Sequence, residues 1–201
     1  GRRLLAHLAP DLVVVDDPTA REGARWVRLA RTAQIPVVVI RDGGAAIPGA
    51  DLTVDGSLVA RPADRADRMA GPAFALLKPH PAAGRARPMA RDRGRVLIAL
   101  GGGAHVRRLG VSIAGAITRH CPDLRVDIAR GFALTGTAPG LPARCRWVSA
   151  PDGLGDRLAA ASAAVVAGGV TLYEACALGT PMVAVPVVPA HQRAIAAAAA
   201  A

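Results

Sequence analysis

The chain reads as an α/β protein made of two Rossmann-like parallel-sheet halves, and three observations carry that expectation. Short apolar runs recur along it (VVV at 13–15, VVVI at 37–40, VLIAL at 96–100) with helix-compatible stretches between them, the alternation that βαβ units produce. These runs are continuous rather than alternating, as in strands covered on both faces. Apolar residues make up 52% of the 201 residues but aromatics only 2%, so Ala, Val and Leu must build the core, as in a helix-covered parallel sheet.

In order, residues 4–8 read as the end of a helix closed by Pro10, and 11–15 (DLVVV) as a strand buried on both faces. The turn Asp16-Asp17-Pro18-Thr19 follows and supplies a helix N-cap. A helix is expected over 20–33, strands over 36–40 and 51–54, and a lead-out over 72–78. Residues 79–94, rich in Pro, Arg, Ala and Gly, cannot be written as a strand or long helix and are expected to link the halves. The organisation expected is an N-terminal half over 1–78, a linker over 79–94 and a nucleotide-sugar-binding half over 95–201. The second half starts with a strand over 95–100, the turn Gly101-Gly102-Gly103 and a helix from His105 to about His120. Strands are expected over 124–129 and 144–148, a helix over 154–162 and a strand over 163–167. Then come the pair Gly168-Gly169, a helix, a Gly-Thr-Pro stop, another strand and a polar loop carrying His191 and Gln192, before an alanine-rich helix from 194 to 201. The first residue is not Met and that helix carries no C-terminal cap, so the chain is expected to be cut at both ends and both halves truncated.

The formal charge is +10. The basic residues are arginines apart from Lys78, and they are dispersed. Only 85–95 is dense, and no aromatic is interleaved there to stack on bases, so no nucleic-acid partner is expected. The three cysteines, Cys121, Cys145 and Cys176, have no metal-ligand spacing, which fits a reduced cytoplasmic chain. Cys176 is expected as a small buried residue. No metal or cofactor is expected, and no apolar run approaches the roughly 18–20 residues of a membrane span. Oligomeric state is not readable.

Three constellations could carry chemistry. Gly101, Gly102 and Gly103 lie between a buried strand and a helix, where backbone can approach an anion at the helix N-terminus. The GxGxxG fingerprint is missing, and Arg130 stands where a dinucleotide site would need an acidic residue. The second is Gly168, Gly169, Thr171 and Glu174. Thr171 and Glu174 have capping-box spacing. With the same geometry the glycines, Thr171 hydroxyl and helix amides would hold a diphosphate while Glu174 accepts hydrogen bonds from a ribose diol. Third, His191 and Gln192 at a strand end offer the donors and acceptors that sugar hydroxyls need, or serve as ordinary surface groups. His7, His80 and His120 are assigned no role, and no catalytic triad or P-loop is present.

The segment GGVTLYEACALGTPMVAV followed by HQ resembles the nucleotide-sugar half of GT-B proteins, among them the N-acetylglucosaminyltransferase that makes lipid II. Together with DLVVVDDPTARE, GPAFALLKPHP and VLIALGGGAH, it is most similar to the UDP-sugar hydrolase of pseudaminic acid biosynthesis and its spore-coat polysaccharide relatives. The resemblance implies a GT-B-like fold and a UDP-sugar substrate. Gly168, Gly169 and Thr171 would hold the diphosphate, Glu174 the ribose, Leu154 the uracil, and His191 and Gln192 the sugar, with Gly101, Gly102 and Gly103 near the phosphates or between the domains. It also implies release of UDP by water attack at the anomeric carbon. The alternatives are a GT-B glycosyltransferase and a non-catalytic sugar-nucleotide-binding remnant. Asp16-Asp17 stands where the family has Asp-His, and His191 where it commonly has Asn. The family's Gly-x-Gly-His turn, whose His is the expected activator of water, is absent, and the catalytic residue is unknown.

Overall fold

The computed structural model describes residues 1–17, 19–43, 46–60, 66–80, 91–103, 105–131 and 140–200. The expected linker lies mostly outside them, as does Pro18. The chain divides into two compact units, Gly1–Leu76 and Leu77–Ala201.

The first unit opens with helix α1 (Arg2–Leu8) and runs β1 (Val13–Asp16), α2 (Ala20–Thr32), β2 (Val37–Arg41), β3 (Leu52–Asp55) and β4 (Arg68–Ala70) before a 3-10 turn at Pro72–Phe74. The four strands form one parallel sheet in the order β1-β2-β3-β4. Its core is small: Val15, Val37 and Val39 pack against Val27 and Ala30 of α2 and against Ile47. The expectation that DLVVV is buried on both faces fails, because Val14 is 56% exposed. β1 is an edge strand, and within its unit only the α2 side is covered. The N-cap expectation also changes. Thr19 occupies the cap position without a capping bond. Its N–H and hydroxyl both donate to Asp17 Oδ1 at 2.7 and 2.6 Å, and these bonds hold the Asp17 carboxyl below the usual range. β4 has no signature in the sequence: its three residues RMA carry no periodic signal, and pairing with β3 alone makes them a strand.

The second unit runs β5 (Asp92–Ala99), α3 (His105–His120), β6 (Arg125–Ala129), β7 (Cys145–Val148), α4 (Gly155–Ala160), β8 (Ala161–Ala167), α5 (Val170–Ala177), β9 (Met182–Val185) and α6 (His191–Ala199). All five strands are parallel, in the order β7-β6-β5-β8-β9. The alternation expected from sequence is the one observed. On one face Val96, Ile98, Val126 and Ile128 pack against Ala114, Leu109, Ile113 and Ile117 of α3. Val96, Ile98, Val126 and Ile128 are next-but-one neighbours on their strands, which places them on one side of the pleat.

Three boundaries differ for physical reasons. β5 starts at Asp92, inside the stretch expected as linker, because Asp92 pairs with Ala161 across a bulge. α4 stops at Ala160 rather than 162, since Ala161 enters that same pairing and overrides alanine's helical preference. His191 and Gln192 are not in a loop: they open α6, their N–H groups donating to Val188 and Pro189 carbonyls. The dense basic stretch is partly absorbed into structure. The Arg91 fork donates to the Leu178 and Gly179 carbonyls at 3.1 and 2.8 Å, closing the C-terminus of α5. Cys176 is exposed rather than buried. Among the described residues no helix is long and apolar enough to cross a membrane.

Candidate functional site

The second unit's strand order reverses direction at β5: β6 lies on one side of it and β8 on the other. Such a reversal leaves a crevice at the carboxyl ends of the strands, where ligands of open α/β sheets bind. Gly101, Gly102 and Gly103 leave the end of β5, and Gly168 and Gly169 leave the end of β8.

Gly168 is buried, and its position is set by α6. Its N–H donates to His191 Nδ1 at 3.3 Å, and a Cβ on Gly168 would come within 2.7 Å of His191 Cβ. Because Nδ1 accepts, the neutral His191 ring carries its proton on Nε2 and presents a donor there. The sequence placed these residues 23 apart; the structure brings them into contact.

Gly169 is the N-cap of α5, and among the described residues no side chain caps this helix. Thr171 is therefore the second helical residue, and the capping box with Glu174 does not form. The amides of Val170 and Thr171 remain for an anion, the Leu172 N–H being taken by the Gly169 carbonyl, and among the described residues nothing beyond the adjoining ones lies within 4 Å of an ideal Cβ on Gly169. On the β5 side the two glycine turns nearly touch. A Cβ on Gly131, at the end of β6, would lie 2.8 Å from the Gly101 carbonyl oxygen. Gly101 itself has φ of 90°, a conformation that favours glycine.

Freed from the capping box, Glu174 lies half-buried in the wall of a cavity of about 270 Å³, with Lys78, His80, Asp152, Gly153 and Asp156 also lining it. Burial pushes its carboxyl up from the ordinary value, and the Lys78 ammonium pulls part of the way back. Lys78 Nζ donates to the Asp152 carbonyl, and His80 Nε2 lies 3.0 Å from Asp156 Oδ1. His80, assigned no role from sequence, thus joins this wall. The sole lysine among many arginines was the available signal for the stretch, but only folding places it beside Glu174. Leu154 is the N-cap of α4 and partly buried, next to the residues that line the cavity but not among them. Gln192 is exposed, and its side chain makes no hydrogen bond among the described residues. No group of three or more His, Cys, Asp or Glu suited to a metal occurs among the described residues.

No family model and no curated protein sequence matches the chain. Solved structures do. CalG4, the calicheamicin glycosyltransferase, aligns with a TM-score of 0.63 at 19% identity, over 99% of this chain and 60% of that one. The spinosyn rhamnosyltransferase SpnG, complexed with spinosyn aglycone, gives 0.63 at 22%, over 92% and 56%. MurG of Acinetobacter baumannii gives 0.59 at 17%, over 97% and 58%.

The chain has the GT-B fold.

It spans somewhat over half the length of these GT-B structures. The neighbours are glycosyltransferases, so the likeness supports the GT-B part of the expectation and not a UDP-sugar hydrolase of pseudaminic acid biosynthesis.

Proposed function

We propose that the second unit binds a nucleotide sugar, and that the protein transfers the sugar to an acceptor hydroxyl as a GT-B glycosyltransferase. The observation that carries this reading is the uncapped start of α5 beside the Gly168–His191 contact at the reversal of the sheet. In the assignment, the diphosphate lies against Gly168, Gly169 and Thr171, and Glu174 accepts hydrogen bonds from the ribose. Leu154 packs by the base, while His191 and Gln192 face the sugar and Gly101, Gly102 and Gly103 the phosphate side. UDP is the nucleotide that the sequence resemblance implies.

Chemically, the acceptor oxygen forms a bond to the anomeric carbon as the bond from that carbon to the phosphate oxygen breaks, and the acceptor's hydroxyl proton passes to solvent. The leaving diphosphate gains negative charge, which the α5 amides stabilise. His191 Nε2–H supplies a further donor without needing a positive ring. Hydrolysis is the second reading, favoured by the sequence likeness in GPAFALLKPHP and VLIALGGGAH; water then replaces the acceptor. A binding remnant without catalysis is the third.

Calorimetry with UDP on the 201-residue chain, alongside the Glu174→Gln and Thr171→Val variants, tests the binding assignment. A loss of at least about tenfold, or 1.4 kcal/mol, is expected for each. Unchanged affinity in both would overturn the assignment. Release of UDP from a UDP-sugar only on addition of an acceptor supports transfer; release in water alone supports hydrolysis.

A further inference from the structure

At the opposite, amino-terminal end of the second unit's sheet, a row of charged residues crosses three strands. Arg95 of β5 is in register with Arg125 of β6, and Asp127 of β6 with Arg146 of β7. Residues in register or two apart on parallel strands share a face, so Arg95, Arg125, Asp127 and Arg146 project from the side away from α3. Asp127 is buried, at 3% exposure, and its oxygens are fully engaged. Oδ1 accepts from Arg146 Nε at 2.7 Å, and Oδ2 from Arg95 Nη1 and Arg146 Nη2, both at 3.1 Å. Arg157 Nη1 stands 3.7 Å from Oδ2. Asp92 in turn bridges Arg95 and Arg125.

Two carboxylates thus sit among more guanidinium groups than they can neutralise. A hollow of about 340 Å³ is lined by Arg95, Arg125, Arg144 and Arg146 with Asp127 as its one carboxylate. Counting Asp92 beside it, two positive charges stay unmatched. The donors are also in surplus. Arg125 uses Nη2 on Asp92, Arg146 uses Nε and Nη2 on Asp127, and Arg144 uses Nη1 on the Asp123 carbonyl. Among the described residues, Nη1 of Arg125 and of Arg146 has no protein acceptor. If the arginines served only to offset buried Asp127, Arg95 and Arg146 would suffice. Arg125 and Arg144 do not touch it.

We propose that this hollow binds a phosphate-type oxyanion, carried by a small phosphorylated molecule or by a lipid headgroup. Guanidinium forks match such groups in geometry and charge. Along β6, Arg125 lies about 13 Å from the carboxyl edge, at roughly 3.3 Å per residue. Arg95, Asp127 and Arg146 also line a neighbouring hollow that reaches Asp152, Gly153 and Asp156 of the Glu174 cavity, whereas Arg125 and Arg144 line the first hollow alone, so the proposal rests on these two and not on the nucleotide assignment.

The test is calorimetric titration with sodium pyrophosphate in the presence of saturating UDP, on the wild-type chain and on an Arg125→Gln/Arg144→Gln double variant. Neither substituted side chain bonds Asp127 directly, and circular dichroism checks that the variant is folded. One saturable site is expected, weakened at least about tenfold in the double variant and weakened further by added salt, with UDP binding unchanged. Absence of saturable pyrophosphate binding by the wild type, or equal affinity in the double variant, overturns the proposal. Cosedimentation with phosphatidylglycerol but not phosphatidylcholine vesicles, blocked by pyrophosphate and lost in the double variant, assigns the site to a headgroup. Pyrophosphate binding without vesicle binding assigns it to a soluble phosphate.

Discussion

Replacing Gly168 by alanine puts a methyl carbon 2.7 Å from His191 Cβ and 3.0 Å from both its Cα and its carbonyl oxygen. Carbon atoms pack without penalty at about 3.5–4.0 Å, so the start of α6 must withdraw by roughly 1 Å. Two of the three atoms met are backbone, and no rotamer change relieves them. Overpacking of this kind costs about 1–3 kcal/mol. The retreat also weakens the Gly168 N–H to His191 Nδ1 bond, worth about 0.5–1.5 kcal/mol. Against this, alanine lowers unfolded-state entropy by about 0.4–1 kcal/mol, leaving a net loss near 2 kcal/mol. Gly169→Ala is the control. Nothing lies within 4 Å of its Cβ and its φ of −96° suits alanine, so its stability should stay within about 0.5 kcal/mol once the weaker cap is offset by entropy. Urea unfolding followed by Trp147 fluorescence, in a Trp26→Phe background, reads the second unit alone, because Trp26 belongs to the first. The midpoint should fall by about 1 M for Gly168→Ala, taking a slope near 2 kcal/mol per molar urea, and hardly move for Gly169→Ala. Equal midpoints for the two variants would refute the reasoning, because the contact with α6 would then carry no energy.

Gly169→Ala, though stable, should weaken UDP binding at least about tenfold, because its methyl fills the space proposed for a phosphate at the α5 amides; calorimetry reads this directly. Asp127→Ala should cost about 3 kcal/mol in the same urea assay, at the low end for a broken buried pair because Arg146 still reaches water. Burial works to raise the Asp127 carboxyl, but hydrogen bonds from Arg146 and Arg95 outweigh it and hold it below its ordinary value of 3.8. The stability this provides is present above that value and lost as pH falls through the lower folded one, so the gap between wild type and Asp127→Asn should narrow below about pH 4. Glu174 has the opposite sign: burial raises its carboxyl above 4.5. Its contribution is greatest below the unfolded value and declines as pH rises through the folded one. Lys78→Met should push the Glu174 titration higher still, as read by carboxyl carbon chemical shifts, and an unmoved titration would remove Lys78 from that cavity.

The chain itself determined the order of elements in the second unit, because apolar runs, glycine turns and alanine-rich helices are local signals of propensity and period. Those signals could place Gly101, Gly102, Gly103, Gly168 and Gly169 at strand ends, where an open parallel sheet keeps its crevice. They could not distinguish a Thr171–Glu174 capping box from two independent side chains, since spacing is the same in both and only the helix start at Gly169 decides. Nor could they show that Val14 is exposed, which depends on only one face of β1 being covered within its unit. The boundary between α4 and β8 followed from pairing of Ala161 with Asp92, a contact between residues far apart in sequence that outweighs local helical preference. Tertiary structure alone brought His191 against Gly168, set Lys78 beside Glu174, and gathered Arg95, Arg125, Asp127, Arg144 and Arg146 round one hollow. Each of these depends on strand register and helix crossover, and register is a property of the folded sheet rather than of any one segment.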